Sequence, residues 1–201
     1  MCGWMLRTFE TRERMPILTL YKSLILPLLD YCSLIWSPSS ACDLQKMERI
    51  QRLVTRSITG FRSLTYWERL QRLKLHSIQR RFERYQKLYV FKCIHELFPN
   101  PGLKFSENLR TGIFCQVIVP PRCQKKCVKA MQSSFVMNRA PTLYNSLPKY
   151  LRVVYNVSNP LAMFKNDLDE YLSVIPDQPT IAGLSRPANS NSITDQKYYK
   201  L

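Results

Sequence analysis

From Asp43 onward, apolar residues recur at three- and four-residue steps: Leu44, Met47, Ile50, Val54 and Ile58. That spacing predicts one buried face of an α-helix, with Asp43 as its cap and Gly60 as its closing residue. At 3.6 residues per turn Lys46, Arg49, Arg52 and Arg56 fall on the opposite side, with Leu53 as a single apolar intruder. A short helix is predicted over Tyr66 to Leu73 and a longer one from Ser77 to about Leu97. In the longer one Ile78, Phe82, Tyr85, Tyr89 and Cys93 form a seam, and Arg80, Arg84 and Lys87 are expected to point away from it. Phe98-Pro99-Asn100-Pro101-Gly102 ends that helix, since proline and glycine cannot continue it.

The flanks read differently. Met1 to Trp36 suggests a helix, a proline corner and a second apolar helix, with Pro16 in a first turn and Pro27 interrupting Leu20, Leu24 and Leu28. Ser37-Pro38-Ser39-Ser40 works as a loop. The run from Ile17 to Trp36 is apolar, but Lys22 and Asp30 would each cost about 2.5–3.5 kcal/mol at a bilayer centre. Pro27 would also break its middle. Buried core helices are therefore expected, and no membrane partner. Beyond Gly102, alternating Ile113, Cys115, Val117 and Val119 predict a strand ending at Pro120-Pro121, with a second extended piece near Ser134–Met137. Ser146-Leu147-Pro148 looks like a corner. Asn159 caps a last helix with Pro160 in its first turn, and Leu161, Phe164, Leu168, Leu172 and Ile175 give its apolar face. The expectation is a mainly α fold: a helical domain over 1–101, an α+β extension with short strands and a final helix over 102–179, and a disordered Ser/Asn-rich tail over 180–201.

Charge changes the picture. Thirty Lys+Arg against fourteen Asp+Glu give +16, a field that favours polyanions. Residues 43–92 hold thirteen basic and four acidic side chains, an excess of nine, so the other 151 residues carry the remaining seven. Arginine forks match phosphate geometry, and the two basic faces make Arg49, Arg52, Arg56, Arg80, Arg81 and Arg84 the candidate nucleic-acid-binding residues. Trp36, Tyr66 and Trp67 could stack on bases, although core packing is their expected role.

Catalytic chemistry finds little support. A polymerase needs paired aspartates holding two metal ions about 3.5–4 Å apart, and no Asp-Asp pair occurs in the chain. Asp167, Asp169 and Glu170 read as a solvated acidic face. No glycine-rich phosphate loop or Gly-x-Ser-x-Gly elbow is present. His76 and His95 are expected to be structural. Cys93, His95, Cys115, Cys123 and Cys127 have zinc-ligand chemistry but the wrong spacing for a usual knuckle, so thiols without metal are expected. Seven cysteines and a charged N-terminal stretch (Arg7, Glu10, Arg12, Glu13, Arg14) predict free thiols in a reducing compartment, nuclear or cytoplasmic rather than secreted.

These residues resemble the C-terminal part of jockey-like non-LTR (LINE-type) retrotransposon reverse transcriptases. The blocks that carry the resemblance are Gly3-Trp4-Met5-Leu6-Arg7-Thr8-Phe9-Glu10-Thr11-Arg12, then Leu20-Tyr21-Lys22-Ser23-Leu24 through Pro27, Leu29-Asp30-Tyr31-Cys32-Ser33 and Trp36-Ser37-Pro38. Leu44-Gln45-Lys46-Met47-Glu48, Ile50-Gln51-Arg52, Gly60, Tyr66-Trp67-Glu68-Arg69-Leu70, Leu73-Lys74-Leu75, Arg80-Arg81 and Glu83-Arg84-Tyr85 continue it. Ser134-Phe135, Asn145-Ser146-Leu147-Pro148, Phe164-Lys165 and Leu168-Asp169 look like the closing segment, so coverage runs from about Trp4 to Pro179. Leu26 departs from the arginine that family members often carry there, which removes one phosphate contact. The resemblance implies a thumb-like helical bundle with the extension that follows it, while the catalytic palm and its divalent metal lie in domains this sequence lacks. It implies a non-catalytic fragment of an RNA-directed DNA polymerase that clamps an RNA–DNA or DNA duplex. The alternative is a structural remnant that needs a palm and fingers domain from a longer copy in order to fold.

Overall fold

The computed structural model describes residues 2–38, 40–108, 112–116, 135–155, 157–179 and 191–194. It is mainly helical, with one two-stranded sheet among the described residues. Two compact units divide it: Met1–Phe82 with Asp177–Asn191, and Glu83–Pro176 with Ser192–Leu201. The division falls inside a helix, not at the proline-rich stop near residue 101.

The first unit begins with α1 (Cys2–Thr8) and α2 (Arg14–Leu20). Pro27 does not make the predicted corner. Helical chain continues through a wide π-type stretch, Tyr21–Ile25, into α3 (Leu26–Asp30). A proline lacks the N–H that closes an α-turn and crowds the carbonyl four residues back, and a widened preceding turn accommodates both. The corner comes later, where Tyr31 is extended and Cys32 is left-handed (φ +52°), ahead of α4 (Ser33–Trp36).

Helix α5 spans Ala41–Ser57, so Asp43 lies inside its first turn rather than capping it, and pairs with Lys46 at 2.9 Å. Its buried flank is Glu48, Gln51, Val54 and Thr55, continued by Ile58 after the helix ends. Leu44, Met47 and Ile50 are only half-buried. The inward face is thus rotated from the predicted apolar stripe toward polar residues. Helix α6 covers Tyr66–Leu73, as predicted. Thr65 and Glu68 form a reciprocal capping box: the Thr65 N–H donates to the Glu68 carboxylate at 2.8 Å, and the Glu68 N–H to the Thr65 hydroxyl at 3.4 Å. Lys74, left-handed at φ +51°, closes it, with the Leu75 N–H reaching the Leu70 carbonyl at 3.0 Å.

Helix α7 (Ile78–Ile94) runs from the first unit into the second. The expected single seam is corrected here. Arg80, Glu83, Gln86 and Lys87 are buried along with Ile78, Phe82, Leu88, Val90, Phe91 and Cys93. Leu88, Val90 and Phe91 are apolar positions off the seam, and they mark a helix covered on several sides. It ends before the proline cluster, with Glu96 left-handed (φ +53°) and the Leu97 N–H bonded to the Lys92 carbonyl at 2.9 Å.

In the second unit β1 (Phe105–Asn108) pairs antiparallel with β2 (Gly112–Cys115), Phe105 opposite Cys115 and Asn108 opposite Gly112. Gly112 has φ +76°, and a Cβ there would lie 2.4 Å from the Arg152 carbonyl oxygen, so only glycine fits. Val117, Val119, Pro120 and Pro121 of the predicted strand lie outside the described residues. The extended piece expected near 134–137 is corrected among the described residues: Phe135 is extended, α8 (Val136–Asn145) starts directly after it, and Ser134 lies outside the described residues. Pro141 sits inside α8, where burial of Ala140, Leu143 and Tyr144 outweighs its missing N–H. A short 3₁₀ turn, Lys149–Leu151, leads to α9 (Pro160–Val174). Asn159 caps α9 by accepting from the Ala162 N–H at 3.2 Å, and Phe164, Leu168, Leu172 and Ile175 enter the core.

The expected disorder of 180–201 lies mostly outside the described residues, but Asn191–Thr194 corrects it locally. Asn191 and Ile193 are buried; Asn191 donates to Ser77 at 3.2 Å and Asp177 at 3.0 Å, and the Ile193 N–H donates to Glu83 at 3.1 Å. No helix among the described residues is long and apolar enough to cross a membrane.

Candidate nucleic-acid interface

The orientation of α5 is set by polar anchors. The buried Glu48 carboxylate accepts from the Tyr66 hydroxyl at 2.6 Å and from the Ile78 and Gln79 N–H groups at 2.6 and 3.3 Å, so a side chain of α5 caps the start of α7. Gln51 accepts from the Tyr21 hydroxyl at 2.7 Å and donates to the His76 carbonyl at 3.0 Å and the Tyr66 oxygen at 3.1 Å. Burial pushes the Glu48 carboxyl up to about 7; the Tyr66 hydroxyl and the two backbone N–H groups oppose that shift, and Asp177 adds to it. Burial, reinforced by Glu48, also raises the Tyr66 phenol well above its ordinary range.

With that flank fixed inward, the other faces solvent. Arg49 and Arg56 are exposed and Arg52 is half-buried. None of the three forms an ion pair with a carboxylate among the described residues. Leu53, the predicted intruder, is 51% exposed between them.

One arginine that periodicity alone did not single out lies buried beneath this face and ties α6 to α5. Arg69 of α6 is 3% exposed; its Nη1 donates to the Arg52 carbonyl at 3.2 Å, its Nε to the Thr65 carbonyl at 3.4 Å, and its guanidinium lies 5.6 Å from the Tyr66 ring centre. Burial first, then the Arg52 guanidinium, lowers its proton affinity; Tyr66 opposes this and Arg56 adds to it. The available signal was positional: Arg69 shares a helix face with Tyr66, Leu70 and Leu73.

The second predicted basic face is corrected. Arg80 is fully buried, and a guanidinium without solvent access cannot meet a phosphate. Arg81 grips Asp30 with both Nε and Nη2, at 2.8 and 2.6 Å, and Arg84 grips Asp169 at 2.5 and 2.7 Å. Fork-to-carboxylate pairs of this kind satisfy the guanidinium internally. Of the six candidates, only Arg49, Arg52 and Arg56 share an open face.

The aromatic candidates also separate. Tyr66 is core, Trp67 is half-buried with its Nε1 donating to the Pro179 carbonyl at 3.4 Å, and Trp36 packs edge-on against Phe82 at 5.5 Å while keeping 40% exposure. Asp167 accepts from the Tyr155 hydroxyl at 2.9 Å and Asp169 holds Arg84, so the acidic positions of α9 serve internal bonds. Of the zinc candidates, Cys93 and Cys115 are buried free thiols and His95 lies against Phe91 at 4.3 Å between ring centres. Burial lowers the His95 pKa and pushes the Cys115 thiol up to about 12. Cys123 and Cys127 lie outside the described residues, and no three potential ligands gather among the described ones. Compared with protein-family models, curated proteins and solved structures, the chain matches none.

Proposed function

We propose that the chain is a nucleic-acid-binding module that grips the backbone of an RNA–DNA or DNA duplex through α5, without polymerase activity of its own. The carrying observation is that Arg49, Arg52 and Arg56 project from the flank opposite the Glu48–Gln51 anchor and meet no described carboxylate. Three arginines spaced three and four residues apart follow one helix face, and forks of this type seat phosphate oxygens in pairs. The net +16 charge adds long-range attraction for any polyanion. The resemblance to a reverse-transcriptase thumb supports a duplex as the polyanion. A salt-dependent titration tests this: at low salt the chain binds duplex, and log affinity falls linearly with log salt at about 0.9 per phosphate neutralised. Absence of binding at low salt, or affinity indifferent to salt, would overturn the reading.

A second reading is favoured by exposed Leu28, Tyr31, Ile35 and Trp36 in the first unit. A patch of this kind suits docking on another protein domain, such as the palm and fingers of a longer copy. That reading requires the chain alone to self-associate, and addition of such a domain to disperse it.

A further inference from the structure

Two carboxylates meet the start of α7 on successive backbone N–H groups. Asp177 accepts from the Ser77 N–H at 2.7 Å, and Glu48 accepts from the Ile78 and Gln79 N–H groups at 2.6 and 3.3 Å. Consecutive residues are only about 3.8 Å apart, so the two acids stand close together. Asp30 and Asp169 are matched by arginines, whereas neither Glu48 nor Asp177 forms an ion pair among the described residues. The other groups that face Glu48 are the Tyr66 phenol of α6 and, across Gln51, the Tyr21 phenol; His76 meets Gln51 through its carbonyl. Asp177 belongs to a segment that lies on the first unit. Asn191 accepts from the Gln178 N–H at 2.7 Å and donates to Asp177 at 3.0 Å and to Ser77 at 3.2 Å. The Pro179 carbonyl accepts from the Trp67 Nε1 at 3.4 Å.

We propose that residues 177–179 form a proton-operated strap: they stay docked on the first unit while Glu48 and Asp177 hold one proton between them, and they lift from Trp67 when both acids are ionised. Like charges at close range without a cation repel strongly away from water. Glu48 is buried in the middle of α5 and held by three donors, so it stays. Asp177 is half-buried in a segment without helix or strand, so it is the acid that can move into water. Burial first, and Asp177 with it, hold the Glu48 carboxyl up at about 7 in the docked state. Lifting the strap removes the share due to Asp177, so the docked state binds the proton more tightly. Docking is therefore strongest at low pH and is lost as pH rises to 7.

Acrylamide quenching of Trp67 in the full chain tests the strap, with the other two tryptophans, Trp4 and Trp36, replaced by Phe. The ratio of lifted to docked strap should rise by up to about tenfold per pH unit as pH approaches 7 and level off above it, with helix content unchanged. Asp177→Asn should keep Trp67 covered throughout, because the amide oxygen still accepts from Ser77 and no second charge develops. Glu48→Gln is expected to do the same; should it not fold, Asp177→Asn still decides, since its side chain is half-exposed. Asp43→Asn, which removes an exposed acid paired with Lys46, keeps the wild-type transition. Quenching indifferent to pH in the parent chain overturns the strap, and so does a transition that persists in Asp177→Asn. Helix content that falls in step with quenching overturns it as well, since the whole unit would then be opening.

Discussion

The two units fill a small interior with different emphasis. In the first, the polar side chains Glu48, Gln51, Thr55, Ser77 and Arg69 are buried beside Tyr21 and Tyr66, and the helices are joined by hydrogen bonds to Glu48 and Gln51. The second is built on rings: Phe91 stacks on Phe164 at 4.0 Å, Tyr155 meets both edge-on, and Leu168, Leu172 and Ile175 complete the layer. Hydrogen bonds are directional and apolar contacts are not. A helix whose outer face must present arginines at a fixed angle is better held by the former. The unit carrying the candidate interface also holds the larger share of the buried polar side chains, although Glu83, Gln86 and Lys87 are buried in the second.

The largest expected effect breaks the aromatic unit. Phe164→Ala removes a fully buried ring from the stack and should cost about 3–5 kcal/mol, read by denaturant unfolding. Duplex affinity under native conditions should not follow it.

The next effect separates the units by pH. The Glu48 carboxyl stands at about 7 in the folded chain against an ordinary 4.5. A raised carboxyl binds its proton more tightly in the folded state, so its contribution is full below pH 4.5 and is lost as pH rises to 7. The size is about 3 kcal/mol at most, at 1.36 kcal/mol per unit. His95 in the second unit has the opposite sign. Burial lowers its pKa from 6.5, so its contribution is present above 6.5 and is lost as pH falls. Hydrogen exchange followed from pH 4.5 to 7 should show the first unit loosening with rising pH, and Glu48→Gln should abolish that trend. A wild-type first unit that tightens over this range would contradict the assignment.

The smallest effect is local. Asn159→Ala removes the α9 cap and should cost about 1 kcal/mol, visible in the unfolding of the second unit and absent from the first.

How much of this was legible follows from the kind of force involved. Helix α6 and the start of α9 could be read because caps and apolar spacing act within one turn, at Thr65–Glu68 and at Asn159. The buried flank of α5 could not, because Glu48 and Gln51 are buried for their bonds to Tyr21, Tyr66 and α7, which lie far away in sequence. Pro27 misled for a related reason: a proline excludes the regular α-turn locally, while packing decides whether the chain bends or widens its turn. Arg80, Arg81 and Arg84 looked solvent-facing by period alone. The partners that take Arg81 and Arg84 out of consideration, Asp30 and Asp169, are distant in the chain. Arg49, Arg52 and Arg56 kept their predicted outward placement because that flank needs no partner.

The most direct test compares the open arginines with an internally paired one. The slope of log duplex affinity against log salt should fall by about 2–3 in an Arg49→Gln/Arg52→Gln/Arg56→Gln variant. It should stay at the wild-type value in Arg81→Gln/Asp30→Asn, where both charges of the internal pair are removed together. Equal slopes for the wild type and the triple variant, or a loss confined to the Arg81 variant, would contradict the account.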